Sequence, residues 1–327
     1  MDKKINCVVL LGPTAVGKTA LGVRLARRFG WDIVSADSRQ VYRGLDIGSG
    51  KDLADYTVVE KNSDGSESTF TVPYHLIDVA TLDTEFNVFD FQQRFYALMN
   101  SNVSQERMTF VVGGTGMYID SVLRAYDFVP VPENVELRKS LESKSLEELD
   151  AMLLDLKPDL HNRSDLLLRD RVLRAIEIAM FMRSEECAVA RAKLEKRPDV
   201  NAFVIGTTLD RDDVRSNIRR RLLERLDGGM VEEIQGLHDS GYSWERLEKL
   251  GLEYRYVSLY LEGKIEKRDE MVENLYHAIC QFAKRQETWF RGMERKGVKI
   301  NWLPRVKDGE ARFNAAIDLL RQSCVCS

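Results

Sequence analysis

The 327-residue sequence lacks any apolar stretch long enough to cross a membrane. The short apolar run near its N-terminus ends in a glycine-containing loop, so we expect a strand there and not a signal peptide. Cysteine is scarce, and the five cysteines are scattered and lack the spacing of a metal site. We interpret Cys324 and Cys326 as a tail. This usage favours a reduced, cytoplasmic protein.

An excess of basic charge is also missing, because the formal net charge is −4. A prediction of nucleic-acid binding must therefore rest on local clusters of Lys and Arg. Two such clusters occur, and the second interleaves its basic residues with Trp289 and Phe290, of which we expect Phe290 to be core. Their members are Arg211, Arg215, Arg219, Arg220, Arg221 and Arg225 in the first, and Lys284, Arg285, Arg291, Arg295 and Lys296 in the second.

What remains is an ordinary globular composition, with 44% hydrophobic and 31% charged residues. Continuous apolar runs typical of strands buried on both faces alternate with helical patterns in the first third of the chain. This alternation predicts right-handed βαβ units, a parallel sheet and therefore an α/β fold. The predicted strands are 5–11, 32–37, 75–79 and 108–114, and the predicted helices are 18–29 and 89–99.

The pattern changes near residue 121, because residues 133–197 are charged and helix-forming and contain no good strand. Strand-like segments return at 201–209 and 298–303. We therefore predict a core built from residues 1–121 and 196–327, with flanking helices and basic C-terminal helices, interrupted by a helical insertion domain at 122–195. The segment 61–68 is predicted to be a polar loop.

A phosphate-binding motif follows the first predicted strand and opens the first predicted helix, which is the context that supports a P-loop. Backbone N–H groups of such a loop converge on phosphate oxygens, lysine adds a point charge, and the threonine hydroxyl can bind Mg²⁺. The pattern predicts a phosphate ligand but not the reaction. The motif consists of Gly12, Pro13, Thr14, Ala15, Val16, Gly17, Lys18 and Thr19.

P-loop proteins that bind ATP or another nucleotide also need a carboxylate for Mg²⁺. Asp37 and Asp78, each at the end of a predicted strand, are candidates, although both could be capping groups. The fourth strand ends in the sequence GGTG at 113–116 instead of an acid, which suggests backbone close to a ligand. A small-molecule kinase and a non-catalytic nucleotide-dependent RNA-binding protein both remain alternatives.

Six segments in this order resemble the tRNA dimethylallyltransferase family, also called tRNA isopentenyltransferases. The resemblance implies a Mg²⁺-dependent transfer of a dimethylallyl group from dimethylallyl diphosphate to the exocyclic amine of the adenosine 3′-adjacent to the anticodon of tRNA. It also implies a P-loop-type core with a helical insertion domain, a cytoplasmic enzyme without a membrane partner, and we expect a monomer. The segments are GPTAVGKT (12–19), SADSRQVYRGLDIG (35–48), HLIDV (75–79), VVGGTGMYI (111–119), RDRVLRAIEI (169–178) and FAKRQETWFR (282–291).

In this reaction a carboxylate must accept the proton of a weakly nucleophilic amine, and Asp37 fits that role. Lys18, the loop amides and Mg²⁺ on Thr19 would stabilise the diphosphate that leaves, and the adenine would have to leave its stack. The resemblance places Arg221 on the diphosphate. It also assigns contacts with tRNA to Asp37, Ser38, Arg39, Gln40, Thr115, Asp170, Arg171, Val172, Leu173, Arg174, Lys284, Arg285 and Gln286.

Each of these assignments competes with a structural role. Ser38 and Gln40 could cap a helix, Thr115 could satisfy a turn, and Arg171 and Arg174 could form a solvated helix face. Without the family resemblance, the structural roles would be favoured.

The chain departs from the family pattern in its first basic cluster. Asn217 stands where the first arginine of an R-I-x-x-R pattern is expected, so Arg219 or Arg220 would have to compensate. Leu252 replaces a tyrosine after Gly251, and Tyr74 replaces a histidine. We expect a divergent member of the family, with a possible change in the set of tRNAs used.

Overall fold

The computed structural model describes residues 4–61, 64–158, 168–323 and 325. The predicted cysteine tail at Cys324 and Cys326 lies outside these residues. Contacts divide the chain into two compact units, one formed by Met1–Tyr126 with Arg197–Ser327 and the other by Asp127–Lys196. The sequence places the helical insertion at 122–195, close to the span of the second unit.

The larger unit is built on a parallel sheet, which confirms the predicted α/β fold class. In the described residues the sheet has six strands in the order β5-β2-β6-β1-β7-β8, and every pairing between neighbours is parallel. The strands are β1 (Cys7–Leu11), β2 (Ile33–Ala36), β5 (Tyr74–His75), β6 (Thr109–Gly113), β7 (Ala202–Gly206) and β8 (Ile300–Trp302).

Helices cover both faces of this sheet, as the continuous apolar runs predict. Alternate residues of β1 point to opposite faces: Val9 packs with α2, α3 and α12, and Leu10 packs with α1 and α13. The helices that take part are α1 (Lys18–Phe29), α2 (Val88–Ser104), α3 (Gly116–Leu123), α12 (Arg268–Arg295) and α13 (Gly309–Gln322).

A second apolar core joins the segment after β2 to the C-terminal helices. Val41, Leu45 and Tyr254 are buried there together with Ile218. The C-terminal half of the chain therefore packs beside the sheet edge that carries the P-loop. The helices that contribute are α8 (Arg211–Asp227), α9 (Met230–Asp239), α10 (Trp244–Glu248), α11 (Leu252–Leu261) and α12.

Strand register brings the predicted functional segments to one edge of the sheet. Leu11 pairs with both Gly113 and Gly206, and Ala36 also pairs with Gly113. The loops that follow β1, β2 and β6 therefore leave the sheet side by side. In open parallel sheets this carboxyl edge is where ligands bind.

The strand predicted at 75–79 is wrong beyond its first residue, since β5 contains only Tyr74 and His75. Leu76 has a φ of +62° and Asp78 a φ of +55°, and this left-handed backbone cannot continue a strand. A hairpin absent from the predictions precedes β5, with β3 (Thr57–Lys61) paired antiparallel to β4 (Glu67–Thr71). The β4 strand is exposed along its whole length, so its sequence lacks the apolar pattern from which a buried strand is predicted.

The smaller unit is helical and has its own apolar core, which contains Leu141, Leu149 and Ile176. Glu177 is buried beside this core and accepts hydrogen bonds from Arg138 Nε at 2.7 Å and Arg174 Nη1 at 3.0 Å. Burial alone would raise the pKa of Glu177, but these hydrogen bonds outweigh it and lower the pKa. The helices are α4 (Val135–Ser140), α5 (Leu146–Leu156), α6 (Arg169–Phe181) and α7 (Glu185–Ala192).

Among the described helices, none combines the length and the apolar character that crossing a bilayer requires.

The core of the smaller unit gives a stability prediction. Ile176→Ala removes a fully buried side chain from α6 and should lower the free energy of unfolding by about 2–5 kcal/mol. Ile178→Ala is the matched control on the same helix, because Ile178 is 38% exposed and should change stability by less than about 1 kcal/mol. Urea unfolding followed by circular dichroism measures both, and equal effects would contradict the described packing.

Candidate active site

The P-loop joins β1 to α1, and its glycines are required by geometry. Gly17 has a φ of +79°, a backbone conformation that glycine adopts without strain. A Cβ on Gly12 would lie 2.1 Å from the carbonyl oxygen of Thr207, so only glycine fits against the neighbouring strand end. Thr19 follows in the first turn of α1, half-buried.

Lys18 lies at the centre of the charges around this loop. Its Nζ donates a hydrogen bond to the carbonyl of Pro13 at 2.5 Å. Burial lowers the pKa of Lys18 to about 8, with Asp37 opposing the shift and Arg221 adding to it. The charges of Asp37 and Arg221 therefore both act on Lys18.

Two side chains from the C-terminal half of the chain form hydrogen bonds with the P-loop backbone at Thr14 and Ala15. Gln286 Oε1 accepts a hydrogen bond from the backbone N–H of Thr14 at 2.8 Å. Asn217 Nδ2 donates to the carbonyl of Ala15 at 3.0 Å, and Ala15 itself has a φ of +60°. Asn217, which replaces an expected arginine, thus contacts the loop backbone.

A third side chain, Arg312 of α13, holds the next residue of the loop. Its Nη1 donates to the carbonyl of Val16 at 2.5 Å, and the side chain is buried beside Gly17. Burial lowers the pKa of Arg312, with Asp308 opposing the shift. Three consecutive loop residues are therefore each fixed by a side chain that is far away in sequence.

Asp37 ends β2 and organises the turn that follows it. Its Oδ1 accepts hydrogen bonds from the backbone N–H groups of Arg39 at 2.8 Å and Gln40 at 3.3 Å. The Gln40 side chain donates in turn to the carbonyl of Gly50 at 3.1 Å. No helix begins in this turn, so Ser38 and Gln40 do not cap one: Asp37 binds the backbone of the turn, and Gln40 ties the turn to the loop ahead.

Thr115 connects this turn to the end of β6. Its hydroxyl accepts a hydrogen bond from the backbone N–H of Ser38 at 3.1 Å, and its own N–H donates to the carbonyl of Ala36 at 3.1 Å. Thr115 therefore satisfies a turn, and it does so beside Asp37.

A cavity of about 20 Å³ adjoins the P-loop. Arg221 and Arg225 line it together with Thr14 and Glu253. Burial and the neighbouring Arg225 lower the pKa of Arg221, and Asp52, whose Oδ2 is 3.3 Å from Arg221 Nη2, opposes that shift. Arg225 also lies 3.8 Å from Asp52 and 3.7 Å from Glu253, so the two guanidinium groups of this cavity face two carboxylates.

Other arginines of the first basic cluster point elsewhere. Arg219 donates to Glu273 Oε2 at 2.9 Å and stacks on the Tyr276 ring, with 4.0 Å from guanidinium carbon to centroid. Arg220 pairs with Glu224 on the exposed surface of α8. Both side chains are thus paired with carboxylates, and their replacement of the missing arginine at 217 stays a prediction.

Asp78, the second candidate carboxylate, is used in an ion pair. The buried Lys51 donates to Asp78 Oδ1 at 2.5 Å and to Asp46 Oδ1 at 2.6 Å. A buried ammonium needs such partners, so Asp78 has a structural role here.

The predicted RNA segment of α6 divides by burial. Val172 and Leu173 lie in the apolar core of the smaller unit, whereas Asp170 and Arg171 are exposed. Arg174 donates from Nη2 to the carbonyl of Val131 at 2.6 Å. The side chains of Val172 and Leu173 pack in the core and are not available to RNA. In this part of α6, the predicted RNA contact through side chains therefore rests on Asp170 and Arg171.

In the second basic cluster, Lys284 and Arg285 are exposed and Phe290 is fully buried, as expected for a core residue. Trp289 is 41% exposed and lies over Gly116, where a Cβ would be 2.4 Å from the indole ring.

Sequence reasoning missed Arg225, Glu253 and Arg312 as parts of this site. Arg225 belongs to the cluster that was noted, and its i+4 spacing from Arg221 places both on one face of α8. The other two carry no local signal, because their helices meet the loop only after the chain has folded.

Comparison with known proteins identifies the family. The family model described as IPP transferase matches residues 40–293, and one described as isopentenyl transferase matches residues 5–59. The chain is 49% identical to "tRNA dimethylallyltransferase 2" of Treponema denticola over 93% of this chain and 97% of the relative. It is 50% identical to "tRNA dimethylallyltransferase 1" of Syntrophus aciditrophicus, over 91% and 93%. The chain belongs to the tRNA dimethylallyltransferase family of prenyltransferases.

Solved structures agree with this assignment. The full-length tRNA isopentenylpyrophosphate transferase of Bacillus halodurans aligns with a TM-score of 0.64 and 28% identity over 99% of both chains. A eukaryotic dimethylallyltransferase acting on tRNA aligns with a TM-score of 0.74 and 17% identity, over 99% of this chain and 79% of that one. The second similarity is one of fold alone.

The lowered pKa of Lys18 predicts a pH dependence of anion binding. A bound diphosphate favours the ammonium form, so binding above pH 8 should take up a proton, and affinity should fall about tenfold between pH 7 and 9 as Lys18 loses its charge. Calorimetry of dimethylallyl diphosphate binding in buffers with different ionisation enthalpies measures this uptake.

Lys18→Arg is the matched control, because a guanidinium keeps its charge over this range and any remaining proton uptake belongs to the ligand. An identical uptake in both proteins would contradict the assignment of the titration to Lys18.

Proposed function

We propose that this enzyme transfers the dimethylallyl group of dimethylallyl diphosphate to the exocyclic amine of the adenosine 3′-adjacent to the anticodon of tRNA, releasing diphosphate. The observation that carries the proposal is the meeting of Lys18, Arg221 and Asp37 at one edge of the sheet, in a chain of this family. The relatives named for this activity on tRNA support it.

The P-loop acts in this proposal as a clamp for the leaving group. As the bond from the allylic carbon to the diphosphate oxygen breaks, negative charge collects on the diphosphate. In this proposal loop amides, Lys18 and Arg221 surround the leaving diphosphate, and such preorganised charges stabilise the transition state more than the ground state.

Asp37 accepts the proton in the same step. The nitrogen lone pair forms the bond to carbon while the amine proton passes to the carboxylate. Both hydrogen bonds described for Asp37 end on Oδ1, so we assign the proton to Oδ2. The adenine has to leave its base stack to reach this position.

Magnesium fits the donor set at this edge. Among the described residues, His, Cys, Asp and Glu form no group of three that could hold a metal by themselves. Mg²⁺ commonly uses few protein ligands together with phosphate oxygens and waters, so the Thr19 hydroxyl and the oxygens of a bound diphosphate would hold it here. When bound, the ion would neutralise charge on the leaving diphosphate.

Transfer RNA is the partner that suits the basic residues Arg39, Arg171, Lys284 and Arg285, of which all but the half-buried Arg39 are exposed. We assign RNA contacts to Ser38, Arg39, Lys284 and Arg285, and in the smaller unit to Arg171. Phosphate contacts of this kind are independent of sequence and give binding that weakens with salt. We further expect a cytoplasmic, monomeric enzyme.

Mass spectrometry of nucleosides tests the function directly. A tRNA made by transcription in vitro is incubated with the protein, Mg²⁺ and dimethylallyl diphosphate and is then digested to nucleosides. We expect a dimethylallyl adduct on the adenosine beside the anticodon. Parallel reactions with labelled ATP separate the alternatives. Phosphate transfer would indicate a kinase, and tRNA binding without any product would indicate a non-catalytic RNA-binding protein.

The role of Asp37 predicts a specific defect. Asp37→Asn preserves shape but removes an effective proton acceptor, so the single-turnover rate should fall about a hundredfold or more at saturating tRNA and donor. Donor affinity should stay near the wild-type value, because the P-loop holds the donor. A wild-type rate in this variant would exclude Asp37 as the base.

A further inference from the structure

Gln286 differs from its neighbours on α12 in burial. Its side chain belongs to a segment whose Lys284 and Arg285 are exposed, yet Gln286 is only 8% exposed. The resemblance to the family assigns all three residues to tRNA. A buried amide next to exposed cations calls for a separate explanation, because buried polar groups are retained where they are hydrogen-bonded.

Both ends of the Gln286 amide are hydrogen-bonded, and to two different loops. Oε1 accepts from the backbone N–H of Thr14 in the P-loop at 2.8 Å, and Nε2 donates to the carbonyl of Gly114 at 2.9 Å. Backbone N–H can only donate and carbonyl can only accept, so these partners define the orientation of the amide. Gln286 thus connects the phosphate loop to the end of β6.

The residue type at 114 follows from this contact. A Cβ on Gly114 would lie 2.7 Å from Gln286 Nε2 and 3.2 Å from the carbonyl oxygen of Gly12. The same Cβ would lie 3.6 Å from Lys18 Nζ. Glycine at 114 therefore lets Gln286 approach beside the lysine that faces the diphosphate.

The connection continues to the acceptor side of the site. Thr115, directly after Gly114, binds Ala36 and Ser38 on either side of Asp37. A continuous path of hydrogen bonds and one peptide unit thus runs from Thr14 of the donor loop, through Gln286, to the turn that carries the proposed base.

We propose that Gln286 is a positioning residue that sets the P-loop at a defined distance from the Asp37 turn, and that it does not bind tRNA. The inference rests on the proposed function for what the two loops hold. Transfer requires the allylic carbon and the amine nitrogen to approach within about 3.5 Å, and small displacements of either partner are costly.

Gln286→Met tests this role, since methionine has a similar length but neither donates nor accepts a strong hydrogen bond. We expect dimethylallyl diphosphate to bind roughly tenfold more weakly, on the scale of the two lost hydrogen bonds. The single-turnover rate at saturating donor should also fall. Affinity for tRNA, and its dependence on salt, should remain wild-type.

Arg285→Ala is the matched control from the next position of the same helix. Arg285 is exposed, so its loss should weaken tRNA binding, reduce the salt slope by about one unit and leave donor affinity unchanged. Gly114→Ala should reproduce the donor defect of Gln286→Met, because the added Cβ displaces the amide. Hydrogen–deuterium exchange of the peptide containing Thr14 should accelerate in both variants.

Two outcomes would overturn the proposal. Weaker tRNA binding with unchanged donor affinity in Gln286→Met would make Gln286 an RNA contact. A lower melting temperature with both affinities and the rate unchanged would make it a support of the fold alone. Donor affinity and amide exchange are measured without the transfer reaction. They therefore test the positioning role of Gln286 even if the nucleoside analysis shows no prenylated product.

Discussion

The conformation of the P-loop is the constraint on which the site depends. A loop that presents its N–H groups to an anion has little to hold it when the anion is absent, and Ala15 and Gly17 both occupy left-handed backbone. Side chains from α8, α12 and α13 bind the backbone of residues 14–16. The loop is therefore preorganised by the C-terminal half of the chain.

The same arrangement explains how a phosphate loop can serve a prenyl transfer. In the proposed mechanism the loop and the adjoining arginines bind a diphosphate, and this binding does not depend on whether a phosphoryl or an allyl group is transferred. In the same proposal, the acceptor side of the site selects the reaction. Here that is the turn of Asp37, held against the end of β6 by Thr115.

Asn217 departs from the family pattern in charge but contacts the backbone of the P-loop. An arginine there would carry charge toward the ligand, whereas Asn217 binds the carbonyl of Ala15. The positive charge near the loop comes instead from Arg221 and Arg225, one turn apart on the same helix. Asp52 and Glu253 balance these guanidinium groups, so the cluster can stay partly buried without a ligand.

The sequence by itself determined the parallel sheet, the P-loop and the family, because continuous apolar runs and glycine spacing are local signals. It could not reveal that Leu76 ends β5, that Asp78 pairs with Lys51, or that the exposed β3–β4 pair forms. Only the tertiary structure decided which side chains hold the loop: Asn217, Gln286 and Arg312 lie some 200 to 300 residues beyond it, and their contacts exist only after long-range packing.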